Sequence, residues 1–336
     1  MIKHYPSVSV LIPTFNRAHM LAESVRSVFS QTVPINDVIV ADDGSTDDTQ
    51  QTIEQLLEEY PNWRGRLQYF HQPNQGRSVA LNAALERSHG EWIAYNDSDD
   101  VWLPDKLKRQ FDALADYPEA GACVTDARYG GGGNPEHTAF QVGRQAFGSP
   151  VGEIADAPLV MAALSHGIYT QTLVVQRRIV ERMGGWDEIM RVAQDVDFLF
   201  RLSLECPIVY VNEPLVEIDR GADWSCERLT VRFPINGVFR LELHEKMYTK
   251  WRVLVNDAIP ELSELTLTRL NSNRSALANQ YLIAGRKLEA RHTLERALRD
   301  RFSRRLLIKW VLACCFPQFV LTRIVARRAR ESARGA

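Results

Sequence analysis

Three carboxylates, Asp97, Asp99 and Asp100, lie within four residues at the end of a short apolar run. The run, Trp92–Tyr95, has the composition of a buried strand, and Leu103-Pro104-Asp105 beyond the aspartates is typical of a helix start. Like charges this close repel one another, and a hard divalent cation relieves that repulsion while leaving coordination positions for phosphate oxygens. The alternative is a solvated turn, because Asp and Ser favour turns and helix caps without any ligand.

Apolar runs that alternate with amphipathic segments precede this cluster. The predicted strands are Val8–Pro13, Val38–Ala41 and Leu67–Phe70, and a helical pattern follows each of them. Such alternation predicts an α/β fold with a parallel sheet flanked by helices on both faces. Ligands on such sheets bind beyond the carboxyl ends of the strands. Four polar residues that follow strands are therefore expected on one rim: Thr14, Asp43, Arg77 and Asp99.

Beyond the cluster, residues 121–124 predict another buried strand, and a long loop with four consecutive glycines follows over residues 128–150. A loop of this kind is a linker or an active-site lid, and the sequence does not separate the two. Further along, Gln194–Leu202 predicts a helix with Asp195 in its first turn, where a carboxylate can be oriented. The alternative for Asp195 is an ordinary helix-capping role.

Six motifs follow one another between residues 7 and 225: Val10–Asn16, Ala41–Asp47, Asn74–Arg77 with Asn82, Asn96–Asp100, Gly184–Glu188 and Gln194–Asp197. Each is weak alone, but the ordered set resembles the family 2 glycosyltransferases, a large inverting group. The resemblance implies the GT-A nucleotide-diphospho-sugar transferase fold, with a mostly parallel sheet flanked by helices. The helical C-terminal third would then be an extension of that fold.

The resemblance also implies a role for each matching residue. Pro13, Thr14, Phe15 and Asp43 would line the nucleotide base pocket, Arg77 would hold the nucleotide, and Asp97 would begin the acidic motif that contacts the ribose. Asp99 also belongs to the donor site, and together with Asp100 it would bind the metal, Mg²⁺ or Mn²⁺. Trp186 and Asp187 would form the acceptor-side motif, and Asp195 would be the catalytic base.

The chemistry of these residue types agrees with the resemblance. An acceptor hydroxyl needs a nearby carboxylate to take its proton, and a departing nucleoside diphosphate needs a cation to stabilise its charge. One base without a second carboxylate nucleophile suits a single in-line displacement. The chain departs from the family after the segment 209–220, where a frequent histidine is absent. The ion would then rely on Asp100, diphosphate and water, and Arg220 is expected to contact phosphate.

The C-terminal third differs in pattern. We expect a catalytic domain over residues 1–230, a helical accessory region over 231–300 and a basic amphipathic tail over 301–336. The tail holds nine Lys or Arg and one Glu, a local charge of +8, which leaves −10 for residues 1–300 of a chain whose net charge is −2. Its apolar residues and flanking arginines predict a helix in a membrane interface. The alternative is a buried helix followed by a solvated basic tail.

Composition bounds the remaining possibilities. The 336 residues are 45% hydrophobic and 24% charged, as in an ordinary globular protein, and the acidic body argues against a nucleic-acid partner. Five cysteines without metal-ligand spacing indicate a reducing compartment. The sequence has neither a signal-peptide pattern nor an uninterrupted apolar run of about 18 residues. We therefore expect a cytoplasmic protein, peripheral at the inner face of the cell membrane.

By resemblance, the expected activity is transfer of a sugar from a nucleotide sugar, a UDP-sugar above all, to a hydroxyl of a glycan or lipid-linked acceptor in cell-surface polysaccharide biosynthesis. A nucleotidyltransferase could use a similar sheet and acidic site, but it would release pyrophosphate. A non-catalytic sugar-nucleotide-binding membrane protein would need no base, so Asp195 argues against it. A dinucleotide-binding dehydrogenase is disfavoured because Pro13–Asn16, and no glycine-rich fingerprint, follows the first strand.

Overall fold

The computed structural model describes residues 5–130, 136–145, 147–164, 167–219, 237–255 and 259–315. Contacts within the chain divide it into two compact units, Met1–Trp224 and Ser225–Ala336. The first unit is built on a β-sheet, and the second is helical throughout its described residues. The predicted α/β class and the helical character of the C-terminal third are confirmed.

The described residues of the first unit form a nine-stranded sheet. Its strands are β1 (Val8–Thr14), β2 (Asp37–Asp42), β3 (Leu67–His71), β4 (Trp92–Tyr95), β5 (Val101–Trp102), β6 (Ala122–Gly130), β7 (Val151–Glu153), β8 (Leu173–Gln176) and β9 (Ile208–Asp219). They are ordered β3-β2-β1-β4-β8-β6-β9-β5 across the sheet, and β7 pairs with β9 outside this path.

The sheet is parallel in its first half and mixed in its second. β1 pairs in parallel with β2 and β4, and β2 pairs in parallel with β3. Beyond β4, strand β8 runs antiparallel to both neighbours, β6 is parallel to β9, and the short strands β5 and β7 are antiparallel to β9. The predicted parallel arrangement therefore holds over β1 to β4, and the carboxyl ends of β1, β2 and β4 meet at one edge.

Helices cover the sheet. The helices of the first unit are α1 (Ala18–Phe29), α2 (Thr49–Glu59), α3 (Arg77–Arg87), α4 (Lys106–Ala115), α5 (Ala139–Val142), α6 (Ala157–Ala163), α7 (Arg177–Arg182) and α8 (Gln194–Glu205), with 3-10 turns at Pro61–Trp63 and Thr170–Thr172. All residues of β1 and β2 are buried. Burial on both faces explains why the middle of each strand, Val10–Pro13 and Val38–Ala41, is a continuous apolar run.

The predicted glycine-rich loop is shorter than the sequence suggested. Strand β6 does not end near Val124 but continues to Gly130, where it still pairs with Asp219 of β9. The short helix α5 occupies part of the remaining segment. Residues 131–135 lie outside the described part of the chain. The extension of β6 depends on a partner more than 80 residues away in sequence, so local pattern could not reveal it.

The second unit contains α9 (Val238–Val255), α10 (Pro260–Ile283), α11 (Lys287–Asp300) and α12 (Arg304–Cys315). Helices α10 and α11 form a hairpin that turns at Gly285, whose φ of +75° is a conformation that favours glycine. Leu277, Leu282 and Leu294 form part of its buried core. Among the described residues, no helix is both long and apolar enough to cross a membrane.

Candidate active site

The three aspartates of the acidic motif meet in the turn between β4 and β5. Carboxylate oxygens of Asp97, Asp99 and Asp100 all lie within 4.8 Å of one another. The turn is closed by a hydrogen bond from the Asp100 N–H to the Asp97 carbonyl, 3.1 Å long. Asp100 is buried, whereas Asp97 and Asp99 are half-buried. The predicted cluster therefore forms at the carboxyl end of a parallel strand.

Asp100 is bound on both carboxylate oxygens by groups far away in sequence. Its Oδ2 accepts a hydrogen bond from Gln171 Nε2 at 2.7 Å, and its Oδ1 accepts one from the Asp219 N–H at 3.0 Å. Burial, together with the charges of Asp99 and Asp97, raises the pKa of Asp100 well above its usual value. Asp100 thus joins the acidic turn to the Thr170–Thr172 turn and to the end of β9. Sequence reasoning missed Gln171, which lies in no recognisable motif.

Asp99 pairs with Arg17, which the sequence analysis also missed. The Arg17 guanidinium donates a hydrogen bond to Asp99 Oδ2. Arg17 directly precedes α1 and follows the motif that ends at Asn16. Its position in the first strand-to-helix turn could have identified it as a site residue. Burial and the neighbouring Asp97 raise the pKa of Asp99, and Arg17 opposes that shift. A cationic side chain is therefore already present beside the acidic motif.

Arg77, the first residue of α3, lies between two predicted parts of the site. Its guanidinium donates to Asp97 Oδ1 at 2.6 Å and to Thr170 Oγ1 at 3.4 Å, and its Cζ lies 5.0 Å from the centroid of the Trp186 ring. Burial would lower the pKa of Arg77, but the carboxylates of Asp97 and Asp195 outweigh it and raise the pKa. One guanidinium therefore interacts with both the acidic motif and the predicted base.

Asp43, at the end of β2, organises the loop that leads to Arg77. Its carboxylate accepts hydrogen bonds from the N–H groups of Gln75 at 2.9 Å and Gly76 at 2.7 Å, and from Gln72 Nε2 at 2.9 Å. Gly76 has a φ of +97°, which the tight approach of this loop requires. The Asp43 carboxylate therefore holds this loop in place. Its contact with a nucleotide base stays a prediction.

The first motif lies beside Asp43. Pro13 and Thr14 are buried, Phe15 is half-buried, and the carbonyl of Thr14 accepts a hydrogen bond from the Asp43 N–H at 2.9 Å. Asn16 follows with a φ of 51°, and its Oδ1 accepts from the Thr46 N–H at 2.8 Å. The two loops that follow β1 and β2 are therefore joined, and their contact with a nucleotide base stays a prediction.

The acceptor-side motif is held on α3 by Asn82. The Trp186 N–H donates to Asn82 Oδ1 at 2.8 Å, and Asn82 Nδ2 donates to the Trp186 carbonyl at 2.9 Å. The Trp186 ring is 2% exposed and stacks on Phe198, with ring centroids 4.3 Å apart. Asp187 is half-buried, and its Oδ1 accepts from the Ile189 N–H at 3.0 Å. Trp186 therefore packs inside the fold, and an acceptor contact at this motif stays a prediction.

Asp195 and Asp197 occupy the first turn of α8 in different states. Asp197 is 0% exposed and bonded to Arg201, with 2.9 Å between its Oδ2 and the arginine Nε. Asp195 is half-buried, and no residue in the described part of the chain donates a hydrogen bond to its carboxylate. Of the two, Asp195 is therefore the one free to accept a proton.

The acidic cluster fits a divalent cation. Three carboxylates supply the hard oxygen ligands that Mg²⁺ and Mn²⁺ prefer. Burial and the neighbouring carboxylates raise the pKa of Asp99 and Asp100, and a bound cation would relieve that repulsion. Asp97 joins the predicted pair of Asp99 and Asp100 in this set. Arg220, expected to contact phosphate, lies outside the described residues.

Comparison with known proteins identifies the family. Residues 9–173 match the model of glycosyl transferase family 2. A putative teichuronic acid biosynthesis glycosyltransferase of Bacillus subtilis, TuaG, is 37% identical over 110 residues, which are 32% of this chain and 42% of that protein. The chain thus aligns with less than half the length of this relative.

Two solved structures share the fold. Staphylococcus aureus TarS 1-349, in complex with UDP-GlcNAc, superposes with a TM-score of 0.65 at 17% identity, over 97% of this chain and 92% of that one. A mannosyltransferase of Pyrobaculum calidifontis, in complex with GDP-Man and Mn²⁺, gives a TM-score of 0.53 at 19% identity, over 95% and 86% of the two chains. The fold is the expected GT-A type. Residues 9–173 therefore form a glycosyl transferase family 2 domain.

Proposed function

We propose that this protein is an inverting glycosyltransferase that moves a sugar from a nucleotide-diphosphate sugar to an acceptor hydroxyl. The observation that carries the proposal is the environment of Arg77, which is bonded to Asp97 at 2.6 Å and whose pKa is also raised by the charge of Asp195. A donor diphosphate at the acidic motif and a base at the start of α8 would then share one small site. Family membership supports the same activity.

In the proposed reaction Asp195 accepts the proton of the acceptor hydroxyl as its oxygen attacks the anomeric carbon. The bond between that carbon and the diphosphate oxygen breaks, and the nucleoside diphosphate leaves with the bonding electrons. A carboxylate in this role contributes about 10²–10⁴-fold. Asp197 cannot serve as a second carboxylate because it is buried and paired with Arg201. Because Asp195 is then the single unpaired carboxylate among the described residues in the first turn of α8, we propose one in-line displacement with inversion.

The donor side combines cationic and acidic groups. Arg17 and Arg77 lie beside Asp99 and Asp97, where they would also meet a negatively charged diphosphate. A Mg²⁺ or Mn²⁺ ion held by Asp97, Asp99 and Asp100 would stabilise the charge that develops on the leaving diphosphate. The complexes of the two neighbours with UDP-GlcNAc and with GDP-Man and Mn²⁺ support a nucleotide sugar and a metal, and we propose a UDP-sugar as donor.

The acceptor is proposed to be a hydroxyl of a glycan or lipid-linked glycan in cell-surface polysaccharide biosynthesis. The name of the relative TuaG, which refers to teichuronic acid biosynthesis, supports this class of acceptor. Such acceptors are assembled at a membrane, so we also propose that the protein works peripherally at the cytoplasmic face of the cell membrane.

The test is a panel of UDP-, GDP- and dTDP-sugars incubated with the full chain and Mg²⁺ or Mn²⁺. Thermal shift reports donor binding, and release of nucleoside diphosphate reports slow hydrolysis of the bound donor. We expect one donor family to stabilise the protein in a metal-dependent way and to yield nucleoside diphosphate. Release of pyrophosphate would overturn the proposal in favour of nucleotidyl transfer. Donor binding without any release, even with glycan acceptors added, would contradict catalysis.

A further inference from the structure

Helix α12 presents two different faces. Leu306, Trp310 and Ala313 pack into the core of the second unit, and the Trp310 indole N–H donates to Glu295 Oε1 at 3.2 Å. One side of the helix is therefore anchored on α11 by both apolar and polar contacts.

Lys309 belongs to the anchored side, although the sequence suggests that it interrupts an apolar run. Its ammonium donates to the carbonyl oxygen of Ser275 at 2.5 Å and to the Ser275 hydroxyl at 2.7 Å. Burial lowers the pKa of Lys309 to about 8. Because the ammonium lies against α10, it places no charge on the opposite side of α12.

The opposite side is apolar and open to solvent. Ile308 is 59% exposed, Val311 41% and Leu307 37%, and Phe302 just before the helix is 68% exposed. Leu307, Ile308 and Val311 recur at the spacing of one helix face, and the exposed Cys314 and Cys315 continue that face. We name Leu307, Ile308 and Val311 the outer face of α12. Large aliphatic side chains grouped in this way mark an interaction surface.

Basic residues flank the outer face on both sides in the sequence. Arg304 and Arg305 are exposed in its first turn. The sequence from residue 316 to the end adds five arginines and one glutamate. An amphipathic helix with this combination binds anionic bilayers, because aliphatic burial and head-group attraction add, with about 1 kcal/mol for each basic residue near the surface.

We propose that the outer face of α12 docks on an anionic lipid bilayer, with Arg304 and Arg305 at the head groups. A second copy of the chain is the rival occupant, but it would bring two segments of charge +8 together. The outer face of α12 would be the surface through which the protein binds the membrane proposed above. It rests on different residues from the sugar-transfer site, and vesicle binding is measured without any transfer, so either proposal can fail alone.

The test is cosedimentation of the full chain with vesicles of phosphatidylcholine containing phosphatidylglycerol and with vesicles of phosphatidylcholine alone. We expect binding to the anionic vesicles that weakens at high salt. The double variant Ile308→Ser/Val311→Ser should bind at least about tenfold more weakly, since two aliphatic side chains lose their burial in lipid. The matched control is Val253→Ser/Leu254→Ser, which changes two residues of α9 that are 74% and 48% exposed.

Lys309→Met distinguishes the inward lysine from an outward one. Because its ammonium lies on Ser275, its removal should leave vesicle binding within about twofold, whereas removal of an outward lysine would weaken binding about fivefold, the equivalent of about 1 kcal/mol for a basic residue near the surface. Circular dichroism and Tm verify that each variant folds. Equal vesicle binding by the α12 and α9 double variants would overturn the proposal. The proposal would also be overturned if the unmodified chain bound no vesicles and instead formed a dimer in sedimentation velocity that the α12 double variant abolished.

Discussion

Asn82 binds the backbone of Trp186 through both ends of its amide, with hydrogen bonds of 2.8 Å and 2.9 Å. Arg77 lies on the same helix, five residues earlier, and reaches Asp97. Helix α3 therefore fixes both the guanidinium of the predicted donor side and the loop that leads to Asp195. A catalytic site needs such support because reacting groups displaced by about 1 Å lose much of their effect.

Gly185 provides a direct test of this clamp. Gly184 and Gly185 both have positive φ, +73° and +69°, but a Cβ on Gly185 would lie 2.6 Å from Asn82 Oδ1, and one on Gly184 would meet nothing within 4 Å. Gly184→Ala should cost about 1–2 kcal/mol of unfolding free energy from backbone strain alone. Gly185→Ala should cost about 1–3 kcal/mol more, as the buried hydrogen bonds are lost. Urea denaturation measures both.

A double-mutant cycle measures how much of the cost of Gly185→Ala comes from Asn82. In an Asn82→Ala background the clamp is already absent, so Gly185→Ala should cost no more than Gly184→Ala. A persistent difference between the two glycines in that background would show that Asn82 is not the cause.

Asp195→Asn tests the proposed base. The amide cannot take a proton from the acceptor, so turnover should fall by about two or more orders of magnitude while donor-induced thermal shift stays nearly unchanged. Asp116→Asn is the matched control, because Asp116 is an exposed carboxylate at the end of α4. Unchanged turnover in Asp195→Asn would remove this residue from the mechanism.

Donor binding is expected to depend on a metal ion held in part by Asp99. Chelation should abolish most of the thermal shift that a donor produces with Mn²⁺, and Asp99→Asn should do the same without chelator, because the cluster loses one of its charged oxygen ligands. Asp116→Asn should behave like the unmodified chain. A donor-induced shift of equal size with and without metal would contradict the assignment of the acidic cluster.

Lys106 should make stability depend on pH. It is 0% exposed, its ammonium lies 3.0 Å from Gln110 Oε1 and 3.9 Å from the centroid of the Trp102 ring, and burial lowers its pKa from 10.5 to about 7. Between these two values the folded amine is neutral and the unfolded one is charged, so unfolding takes up a proton. Stability then rises with pH by up to about 1.4 kcal/mol per pH unit.

Lys106→Met should remove this contribution. The variant should gain most stability relative to the unmodified chain near pH 7 and progressively less towards pH 10, as measured by urea denaturation at several pH values. Parallel stability curves for the two proteins would mean that Lys106 keeps its ordinary pKa.

Local pattern was sufficient for the first half of the fold. The apolar runs of β1 and β2 are short and fully buried, and that of β4 is buried except at Trp92. Each run is followed by a polar turn, and a short apolar run that ends at turn residues is visible in the sequence. The motifs that follow β2, β3 and β4 therefore located Asp43, Arg77 and the acidic cluster from the sequence alone. The two-residue strand β5 and the three-residue strand β7 were not predicted, because two or three residues are too few to show a periodic pattern.

The sequence by itself determined which carboxylates and arginines stand at strand ends and at the start of α8, since composition and period fix those local elements. Only the tertiary structure decided which of them are engaged. It paired Arg17 with Asp99, bound Asp100 to Gln171, and turned Lys309 away from the outer face of α12. These contacts join residues between 34 and 82 positions apart, and their free energy comes from burial and charge in the assembled fold, which no local pattern contains.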